Sequence, residues 1–264
     1  MSYRFLKGHG TENDFVVLPD ADGTVHGHLD PARVRALCDR RAGIGADGVL
    51  RAVRLHDGEG WFMDYRNADG STSEMCGNGV RVFARYLRDH EGETLPVAVS
   101  TRDGVKVVSD AGDGLFTADM GAPRVHGATT VTVEGRDHAA RHVSMGNPHA
   151  VAFVEDLEEA GPLLAEPGYD REVYPEGVNV EFVVRRGKRH VAMRVHERGS
   201  GETRSCGTGA CAVMVATALA DDAPRGTSYR IDVPGGRLDV VWTEDDRVLM
   251  TGPAVLVAEG VSDL

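Results

Sequence analysis

Short runs in which apolar and polar residues alternate recur along the chain and predict β-strands. Such runs occupy residues 97–100, 105–108, 143–145 and 238–242. Every second side chain of a strand points to the same face, so one face of each run would lie against a core. Two longer apolar stretches, 79–87 and 210–219, predict helices instead. The second is apolar around nearly its whole circumference, so we expect it to be buried with a sheet wrapped around it.

Residues 31–40 form a third predicted helix, which has clear start signals. Asp30 can cap its N-terminus, because an aspartate side chain accepts hydrogen bonds from the first free backbone N–H groups. Pro31 would occupy the first helical position, where no N–H group is needed. Many short strands with a few helices predict a mixed α/β (α+β) fold.

The order of motifs in the first half of the chain returns in the second half, roughly 130 residues later. The matching pairs are Asn13-Asp14-Phe15 with Asn147-Pro148-His149, 45–50 with 177–182, 61–66 with 191–196, and Cys76-Gly77-Asn78-Gly79 with Cys206-Gly207-Thr208-Gly209. Four motifs at nearly one offset indicate an internal duplication. We therefore predict two pseudo-symmetric domains, 1–118 and 119–253, each a sheet around a central helix, with the active site in the cleft between them. A last strand at about 254–264 could return to the first domain.

The composition favours a globular protein that acts on small molecules. Of the 264 residues, 41% are hydrophobic, which is enough for a large core, and the formal net charge is -12. An acidic surface repels phosphate backbones, which argues against nucleic-acid partners. No apolar run is long enough to span a membrane, and the first ten residues lack the apolar segment of a signal peptide. We therefore predict a cytoplasmic protein without membrane partners, and the sequence leaves homodimerisation open.

The four cysteines, Cys38, Cys76, Cys206 and Cys211, are expected to be free thiols in a reducing compartment. Their spacing lacks the paired CxxC pattern of a zinc site, so we predict no metal. Cys38 lies in the predicted helix 31–40 and Cys211 lies in the apolar helix. Both are therefore predicted core residues.

Cys76 and Cys206 occupy equivalent places in the repeat, after a loop that contains glycine and directly before a helix. A thiol at a helix N-terminus meets the positive end of the helix dipole and unpaired backbone N–H groups. Both effects lower the pKa of a thiol, so we expect both pKa values to move toward neutrality. The neighbouring glycines allow a ligand to approach the backbone closely, and the same N–H groups can hold a carboxylate.

Two such thiols on opposite sides of one cleft suit inversion at a carbon that carries an acidic hydrogen. One thiolate removes the proton from one face, and the opposite thiol delivers a proton to the other face. The scheme requires no cofactor, and none of the three lysines, Lys7, Lys106 and Lys188, lies in an evident phosphate-loop context for pyridoxal phosphate. Two less specific interpretations stay open at this point: buried filler cysteines, or a disulfide that joins the two domains.

Motifs spread over essentially the whole chain resemble those of the diaminopimelate epimerases. The matching segments are 7–15 (KGHGTENDF), 43–48 (GIGADG), 67–71 (NADGS) leading into 75–79 (MCGNG), 146–149 (GNPH), 177–179 (GVN), and 197–203 (ERGSGET) leading into 206–211 (CGTGAC). The resemblance implies inversion of one α-carbon of LL-2,6-diaminoheptanedioate to give the meso isomer, a step of lysine synthesis and, in bacteria, of peptidoglycan synthesis. It also implies a small-molecule substrate and no cofactor.

The resemblance implies a role for each residue that matches a family motif. It makes Cys76 and Cys206 the acid/base pair, with His149 and Glu197 adjusting the pKa values of the thiols. The residues that would hold the distal end of the substrate are Asn13, Asn67, Asn147, Asn179 and Arg198. The backbone N–H groups that would hold the reacting carboxylate belong to Gly77, Asn78, Gly207 and Thr208. An arginine suits a carboxylate because it can bind in a bidentate way, whereas each asparagine could equally serve as a turn residue.

Two positions depart from the family pattern. Gly48 stands where many relatives carry a polar amide side chain, so we expect no ligand contact there. Thr11-Glu12 replaces a small or glycine pair, which predicts a local adjustment of the loop without a change in chemistry.

Three other functions are compatible with parts of the pattern. A proline or histidine racemase of the same fold is one, although a proline racemase would have no use for Arg198 and the asparagines as a distal clamp. An isomerase of the phenazine-pathway type would share the duplicated fold but lack the cysteine pair. A non-catalytic amino-acid-binding protein would bind the substrate without exchanging its α-hydrogen.

Overall fold

The computed structural model of the chain describes residues 2–55 and 60–264. It divides into two units of mixed α/β structure. One unit consists of Met1–Ala118 together with Gly252–Leu264, and the other consists of Asp119–Thr251. In the described part of the chain, none of the helices is both long enough and apolar enough to cross a membrane.

Strands and helices follow one another in a similar order in the two units. The elements are β1 (Tyr3–Gly10), β2 (Asn13–Pro19), α1 (Pro31–Cys38), β3 (Gly48–Arg54), β4 (Trp61–Asn67), α2 (Gly77–His90), β5 (Val97–Thr101), β6 (Gly104–Gly112), β7 (Leu115–Asp119), β8 (Arg124–Val133), β9 (Arg136–Ser144), β10 (Pro148–Phe153), β11 (Gly168–Tyr169), β12 (Asn179–Gly187), β13 (His190–Glu197), β14 (Gly201–Thr203), α3 (Gly207–Ala220), β15 (Ser228–Val233), β16 (Gly236–Trp242), β17 (Val248–Pro253) and β18 (Val255–Ser262). A short 3-10 helix, Leu157–Ala160, follows β10.

The strand pairing repeats from one unit to the other. In the first unit the order is β18-β1-β2-β3-β4-β5-β6-β7, with β2-β3 and β4-β5 parallel and the other pairs antiparallel. In the second unit the order is β8-β9-β10-β12-β13-β15-β16-β17, with β10-β12 and β13-β15 parallel and the others antiparallel. The same sequence of orientations appears twice. This confirms the predicted duplicated α/β fold.

One long helix lies against most of the strands in each unit. Helix α2 contacts β1 to β6 and β18, and α3 contacts β9, β10, β12, β15 and β16. Helix α3 is buried from Ala210 to Ala218, as its apolar circumference predicts, because a helix without a polar face has no side to turn toward water. Each of these helices has 14 residues, and the first residue of each, Gly77 or Gly207, is buried in its own unit.

Helix α1 begins as predicted and ends earlier than predicted. The Asp30 side chain caps it by accepting hydrogen bonds from the N–H groups of Ala32, at 2.7 Å, and Arg33. The helix ends at Cys38 rather than at Arg40, because Asp39 adopts an extended backbone conformation. Glycines in the loop that follows let the chain fold back onto the end of the helix. There, backbone N–H groups of the loop donate hydrogen bonds to the carbonyl groups that have no partner within the helix.

A buried histidine in the first unit makes stability dependent on pH. His26 is 6% exposed, and neither of its ring nitrogens has a hydrogen-bond partner within the described residues. Burial lowers its pKa from 6.5 to about 4, helped by Arg33 and Arg51 and opposed by Asp20. The fold therefore favours the neutral ring. Its contribution to stability is complete above the unfolded pKa and is lost as the pH falls from there through the folded pKa.

Acidification should therefore destabilise the protein through His26. We expect the free energy of unfolding to fall by about 2–3 kcal/mol between pH 6.5 and pH 4 on account of this group. The measurement is urea unfolding at both pH values for the unmodified protein, for His26→Leu and for His28→Leu. The His26 variant should lose this part of the decrease, while the exposed His28 serves as control and should leave it intact. An equal decrease in all three proteins would contradict the assignment.

Candidate active site

Two cysteines cap the N-termini of the two central helices in the same way. Cys76 precedes α2 and Cys206 precedes α3, and both have extended backbone angles. The Cys76 sulfur accepts a hydrogen bond from the Gly79 N–H group at 3.4 Å, and the Cys206 sulfur accepts one from the Gly209 N–H group at 3.4 Å. The predicted position of each thiol directly before a helix is confirmed.

In the first unit, Asn13 lies beside the Cys76 thiol. The thiol donates to Asn13 Oδ1 at 3.5 Å, and Asn78 Nδ2 donates to the same oxygen at 3.3 Å. Asn13 Nδ2 in turn donates to Asp47 Oδ2 at 2.8 Å, which fixes the orientation of the amide. Three of the predicted site residues, Asn13, Cys76 and Asn78, are therefore in direct contact.

Two residues that were not predicted to belong to the site, Arg81 and Thr11, hold Asn78 in place. Arg81 is fully buried, and it donates to Asn78 Oδ1 at 2.7 Å and to the Gly77 carbonyl at 3.0 Å. Thr11 donates to Asn78 Oδ1 at 3.2 Å from a tight hairpin in which Thr11 and Glu12 both have positive φ angles. A left-handed threonine is uncommon, so the contact is made from a strained turn. Because α2 also carries Arg85 and Arg88, the presence of an arginine in this helix did not by itself point to Arg81.

Asn67 and Gly48 are register partners at the ends of β4 and β3. The Asn67 side chain donates to Ser71 Oγ at 3.0 Å, so in the described structure it bonds within its own turn rather than to the group around Cys76. A Cβ on Gly48 would lie 2.6 Å from the Arg66 carbonyl oxygen. An amide side chain at this position would have no room without a shift of the backbone.

In the second unit, a chain of hydrogen bonds leads from a buried carboxylate to the Cys206 thiol. Glu181 Oε1 is 2.7 Å from His149 Nδ1, and both side chains are fully buried. His149 Nε2 is 3.0 Å from Asn147 Oδ1. Asn147 Nδ2 donates to Thr208 Oγ1 at 3.3 Å, and Thr208 Oγ1 lies 3.5 Å from the Cys206 sulfur. Four predicted site residues therefore belong to one network.

The predicted residues Asn179, Glu197 and Arg198 lie together at the ends of β12 and β13. The Arg198 N–H group donates to Asn179 Oδ1 at 2.9 Å, and Arg198 Nη1 donates to the Glu176 carbonyl at 2.9 Å. Glu197 accepts a hydrogen bond from the Thr203 hydroxyl group. The arginine side chain is exposed, so the remaining N–H groups of its guanidinium can reach a ligand from solvent.

The Cys206 thiol departs from the expected pKa. Burial raises the pKa of Cys206 well above its usual value, and the negative charges of Glu197 and Glu181 act in the same direction. Hydrogen bonds from Thr208 and the Gly209 N–H group lower it, but by less. The expectation of a pKa near neutrality is therefore wrong for this thiol. Desolvation disfavours the thiolate more than the helix N-terminus favours it.

The sequence profile of the diaminopimelate epimerase family matches residues 5–126 and 141–257. This chain belongs to that family. A diaminopimelate epimerase of Streptomyces coelicolor is 58% identical to it, over 98% of this chain and 95% of that protein. A diaminopimelate epimerase of Thermobifida fusca is 48% identical, over 97% of each. The resemblance in the motifs is thus confirmed, and the chain is an isomerase of the epimerase class.

A solved structure of low sequence identity has the same fold as this diaminopimelate epimerase family member. A Bacillus anthracis phenazine biosynthesis protein of the PhzF family superposes with a TM-score of 0.75 and covers 100% of both chains. Its sequence identity is only 15%, so the likeness concerns the fold alone.

Glu181 is a further residue of the candidate site that was not predicted from the sequence. It lies in β12 among apolar neighbours, where the period of the strand assigns it to the core, and it is fully buried. A Cβ at Gly209 would be 2.7 Å from Glu181 Oε1 and 3.3 Å from the Cys206 sulfur. The signal was available, because a single carboxylate inside an apolar strand is rarely buried without a partner.

The other two cysteines of the chain are buried, as predicted. Cys38 is 5% exposed and Cys211 is fully buried. Burial raises the pKa of Cys38 to about 11, so this thiol stays protonated at neutral pH. Among the described residues, no group of three His, Cys, Asp or Glu side chains is arranged to hold a metal ion.

Proposed function

We propose that this chain inverts one α-carbon of LL-2,6-diaminoheptanedioate to give the meso isomer, as a step of lysine biosynthesis and of peptidoglycan precursor synthesis. The observation that carries the proposal is membership of the diaminopimelate epimerase family over nearly the whole chain. Both halves also retain a cysteine as the cap of the central helix, which is the residue type that this chemistry needs.

In the proposed mechanism, Cys76 and Cys206 act as an acid/base pair on one α-carbon. One thiolate takes the α-proton and becomes a thiol, and the electron pair of the broken C–H bond is delocalised toward the carboxylate. The other thiol then gives its proton to the opposite face of the carbon and becomes a thiolate. The two sulfurs exchange protonation states in each turnover, so the reverse reaction uses the same groups.

The reacting carboxylate needs hydrogen-bond donors that are in place before charge develops. We assign this role to the N–H groups of Gly77 and Asn78 in α2 and of Gly207 and Thr208 in α3. These positions are the first turns of two 14-residue helices, where backbone N–H groups have no helical partner. Donors of this kind stabilise an enolate-like intermediate more than the ground state, because they are already oriented.

His149 and Glu197 are proposed to adjust the pKa of Cys206. Glu197 is supported by its charge, which raises the pKa of the Cys206 thiol and so makes it a stronger base once it is ionised. His149 is supported by its place in the hydrogen-bond chain that ends at the Cys206 sulfur. Arg198, Asn13, Asn67, Asn147 and Asn179 are proposed to bind the distal end of the substrate.

We further propose that the enzyme works without a cofactor, in the cytoplasm, and as a homodimer. The two-thiol scheme accounts for both proton transfers with the residues of the chain alone. Strand β18 carries exposed apolar side chains, Val257 at 56% and Val261 at 70%, which a second copy would cover. Light scattering of the purified protein measures the association state, and a monomer at micromolar concentration would contradict the dimer.

The decisive experiment is turnover in deuterated water. We expect LL-diaminopimelate to give the meso isomer without added cofactor, with one deuterium at the inverted α-carbon. Proline and histidine, offered under the same conditions, should not exchange their α-hydrogens. Exchange of proline or histidine but not of diaminopimelate would favour another racemase of this fold. Binding of diaminopimelate with no exchange would favour a non-catalytic binding protein, and either result would overturn the proposal.

A further inference from the structure

The two central helices rest on different residues beneath their N-termini. A Cβ at Gly79 in α2 would meet Leu50 Cδ2 at 3.2 Å and Phe15 Cζ at 3.5 Å, both of them apolar. A Cβ at Gly209 in α3 would meet Glu181 Oε1 at 2.7 Å. The side chains beneath the Cys76 end are thus hydrocarbon, whereas a carboxylate lies beneath the Cys206 end.

Strand register shows that these residues are counterparts in the duplication. Phe15 pairs with Gly48 in the first unit, and His149 pairs with Asn179 in the second. Two positions farther along β3 and β12 stand Leu50 and Glu181. The second half therefore has a His-Glu pair where the first half has an apolar Phe-Leu pair. Burying the polar pair costs desolvation, which calls for a role that offsets this cost.

The hydrogen bonds fix where the protons of the pair lie. Asn147 Nδ2 donates to Thr208, so Asn147 Oδ1 faces His149 and can only accept. His149 Nε2 must therefore carry a hydrogen. One further proton lies between His149 Nδ1 and Glu181 Oε1, on one atom or the other, and the pair has no net charge in either case.

This arrangement orients Asn147 in the opposite sense to its counterpart, Asn13. The amide N–H group of Asn13 donates a hydrogen bond to Asp47, so the amide oxygen of Asn13 faces the Cys76 sulfur. An acceptor at this place favours the protonated form of the thiol. His149 donates a hydrogen bond to the amide oxygen of Asn147, so the amide N–H group of Asn147 faces Thr208 Oγ1. The Thr208 hydroxyl group accepts that hydrogen bond and lies 3.5 Å from the Cys206 sulfur, so it can donate its own hydrogen to the thiolate.

We propose that Glu181 is a positioning residue of the reaction, which holds His149 through Nδ1 so that Asn147 and Thr208 give the Cys206 sulfur a hydrogen-bond donor. The proposal rests on the proposed function of Cys206 as one of the two acid/base groups. Glu181 does not touch the substrate. It acts through three intervening side chains and serves one thiol only, so the two cysteines of the pair differ in their supporting residues.

The charges around the pair agree with this role. The titratable groups that face Glu181 are His149 from β10, Glu197 from β13, Cys206 at the start of α3, and Tyr174 from the segment before β12. Burial raises the pKa of Glu181, the proton of His149 lowers it, and Glu197 raises it further. Glu181 Oε2 is buried without a hydrogen-bond partner among the described residues. A shared proton with His149 thus avoids an uncompensated anion beneath the thiol.

The state of His149 can be measured directly in the unmodified protein. Long-range ¹⁵N NMR correlation of histidine-labelled protein distinguishes the two ring nitrogens. We expect His149 Nε2 to be protonated, because Asn147 Oδ1 beside it can only accept a hydrogen bond. A bare Nε2 with the proton on Nδ1 alone would overturn the proposal, because Asn147 would then be free to reverse. This result does not depend on any turnover.

Substitutions separate positioning from the mere presence of a charge. Glu181→Leu copies the side chain of Leu50, and Glu181→Gln keeps a donor toward His149 Nδ1 without a charge. We expect Glu181→Leu to lower kcat about tenfold or more with little change in KM, because a misplaced catalytic group slows chemistry rather than binding. Glu181→Gln should recover kcat to within about threefold of the unmodified enzyme. Glu244→Gln, which removes an exposed carboxylate in the same unit, should change neither constant.

The pKa of the thiol is the second readout. Alkylation by iodoacetamide across pH, resolved by peptide mass spectrometry, reports Cys206 and Cys76 separately. The midpoint of Cys206 should be higher in Glu181→Leu than in Glu181→Gln, because both variants lack the charge of Glu181 but only the leucine variant loses the oriented Thr208 donor. The midpoint of Cys76 should be the same in both variants. A Cys206 midpoint in Glu181→Leu at or below that in Glu181→Gln, or equal shifts of both thiols, would overturn the proposal. If Glu181→Leu does not fold, the test uses kcat of Glu181→Gln and of His149→Ala. Equal kcat values for these two variants would overturn the proposed role of Glu181.

The outcomes separate this inference from the proposed function. If the unmodified protein does not epimerise diaminopimelate, the proposed function fails, whereas the NMR and alkylation results still decide whether Glu181 orders the chain to Cys206. If the unmodified protein epimerises and Glu181→Leu is unimpaired in kcat, the proposed function stands and the positioning role of Glu181 fails.

Discussion

Replacing either Cys76 or Cys206 should abolish epimerisation and leave the fold intact. Each thiol is proposed as the only acid or base on its side of the α-carbon, so its removal should lower kcat by roughly three orders of magnitude. Alanine at either position also removes a helix cap, since each sulfur accepts a hydrogen bond from a backbone N–H group of its helix. Serine is the sharper substitution, because it caps helices well and yet cannot ionise in the working pH range.

The control is a cysteine of the same helix. Cys211→Ala in α3 should keep near-normal turnover, because Cys211 is fully buried four residues beyond Gly207 and is not part of the proposed pair. Circular dichroism and thermal unfolding of all variants check that the fold survives. Near-normal turnover by Cys76→Ser or Cys206→Ser would contradict the two-thiol mechanism, whatever the behaviour of the control.

The single variants should also separate proton removal from inversion. With one thiol left, an isomer whose α-hydrogen faces that thiol can still exchange it with solvent, but no group on the opposite face can complete the inversion. We expect each serine variant to exchange deuterium into only one of the two isomers, LL or meso, and the two variants to choose different isomers. Exchange into both isomers by one variant would indicate another base.

The repeat is the part of the fold that the sequence predicted best. Glycine and cysteine at matched positions mark strand ends and helix starts, which are local features, and the doubled strand pairing follows from them. Burial of α3 was equally predictable, because its apolar character extends around the helix. These predictions succeed since they depend on short-range patterns that one chain displays by itself.

The sequence could not predict the balance of opposing effects at one site. The helix N-terminus of Cys206 argued for a lowered pKa, yet complete burial raises it, and burial is set by how distant strands close around α3. Asn67 matched a binding motif but bonds to Ser71 in its own turn. Glu181 looked like one more strand residue until tertiary packing placed it beside His149. Such outcomes depend on three-dimensional neighbours rather than on local pattern.

Arg198→Met should weaken transition-state binding of diaminopimelate by at least about tenfold. The reacting centre is handled by nearly symmetric thiols and helix ends, so that part alone does not distinguish amino acids. The halves differ where Asn67 and Ala68 have Glu197 and Arg198 as their counterparts before the second cysteine. We therefore propose that Arg198 and the asparagines near it provide the selectivity for a second carboxylate.

The structure supports a binding role for the Arg198 side chain. Its backbone N–H group donates to Asn179 Oδ1 at 2.9 Å, and within the described residues its guanidinium donates one hydrogen bond, to the Glu176 carbonyl at 2.9 Å. Gly177 has a φ of 87°, and a Cβ there would lie 2.8 Å from Arg198 Cδ, so glycine makes room for the arginine stem. Arg198 is thus positioned through its backbone while its charge stays available.

Loss of a charge-assisted contact to a bound carboxylate costs about 2–5 kcal/mol, and each 1.4 kcal/mol corresponds to about tenfold in kcat/KM. Methionine keeps the length of the side chain without its charge, and Arg198→Lys should lie between the two because an ammonium group cannot bind in a bidentate way. Arg186→Met, at an exposed arginine in β12, is the control for a general loss of positive charge.

If Arg198 recognises the distal centre, the DD isomer should be a poor substrate of the unmodified enzyme, because its distal centre has the wrong configuration. Equal kcat/KM for the meso and DD isomers would show that the distal centre is not read by Arg198.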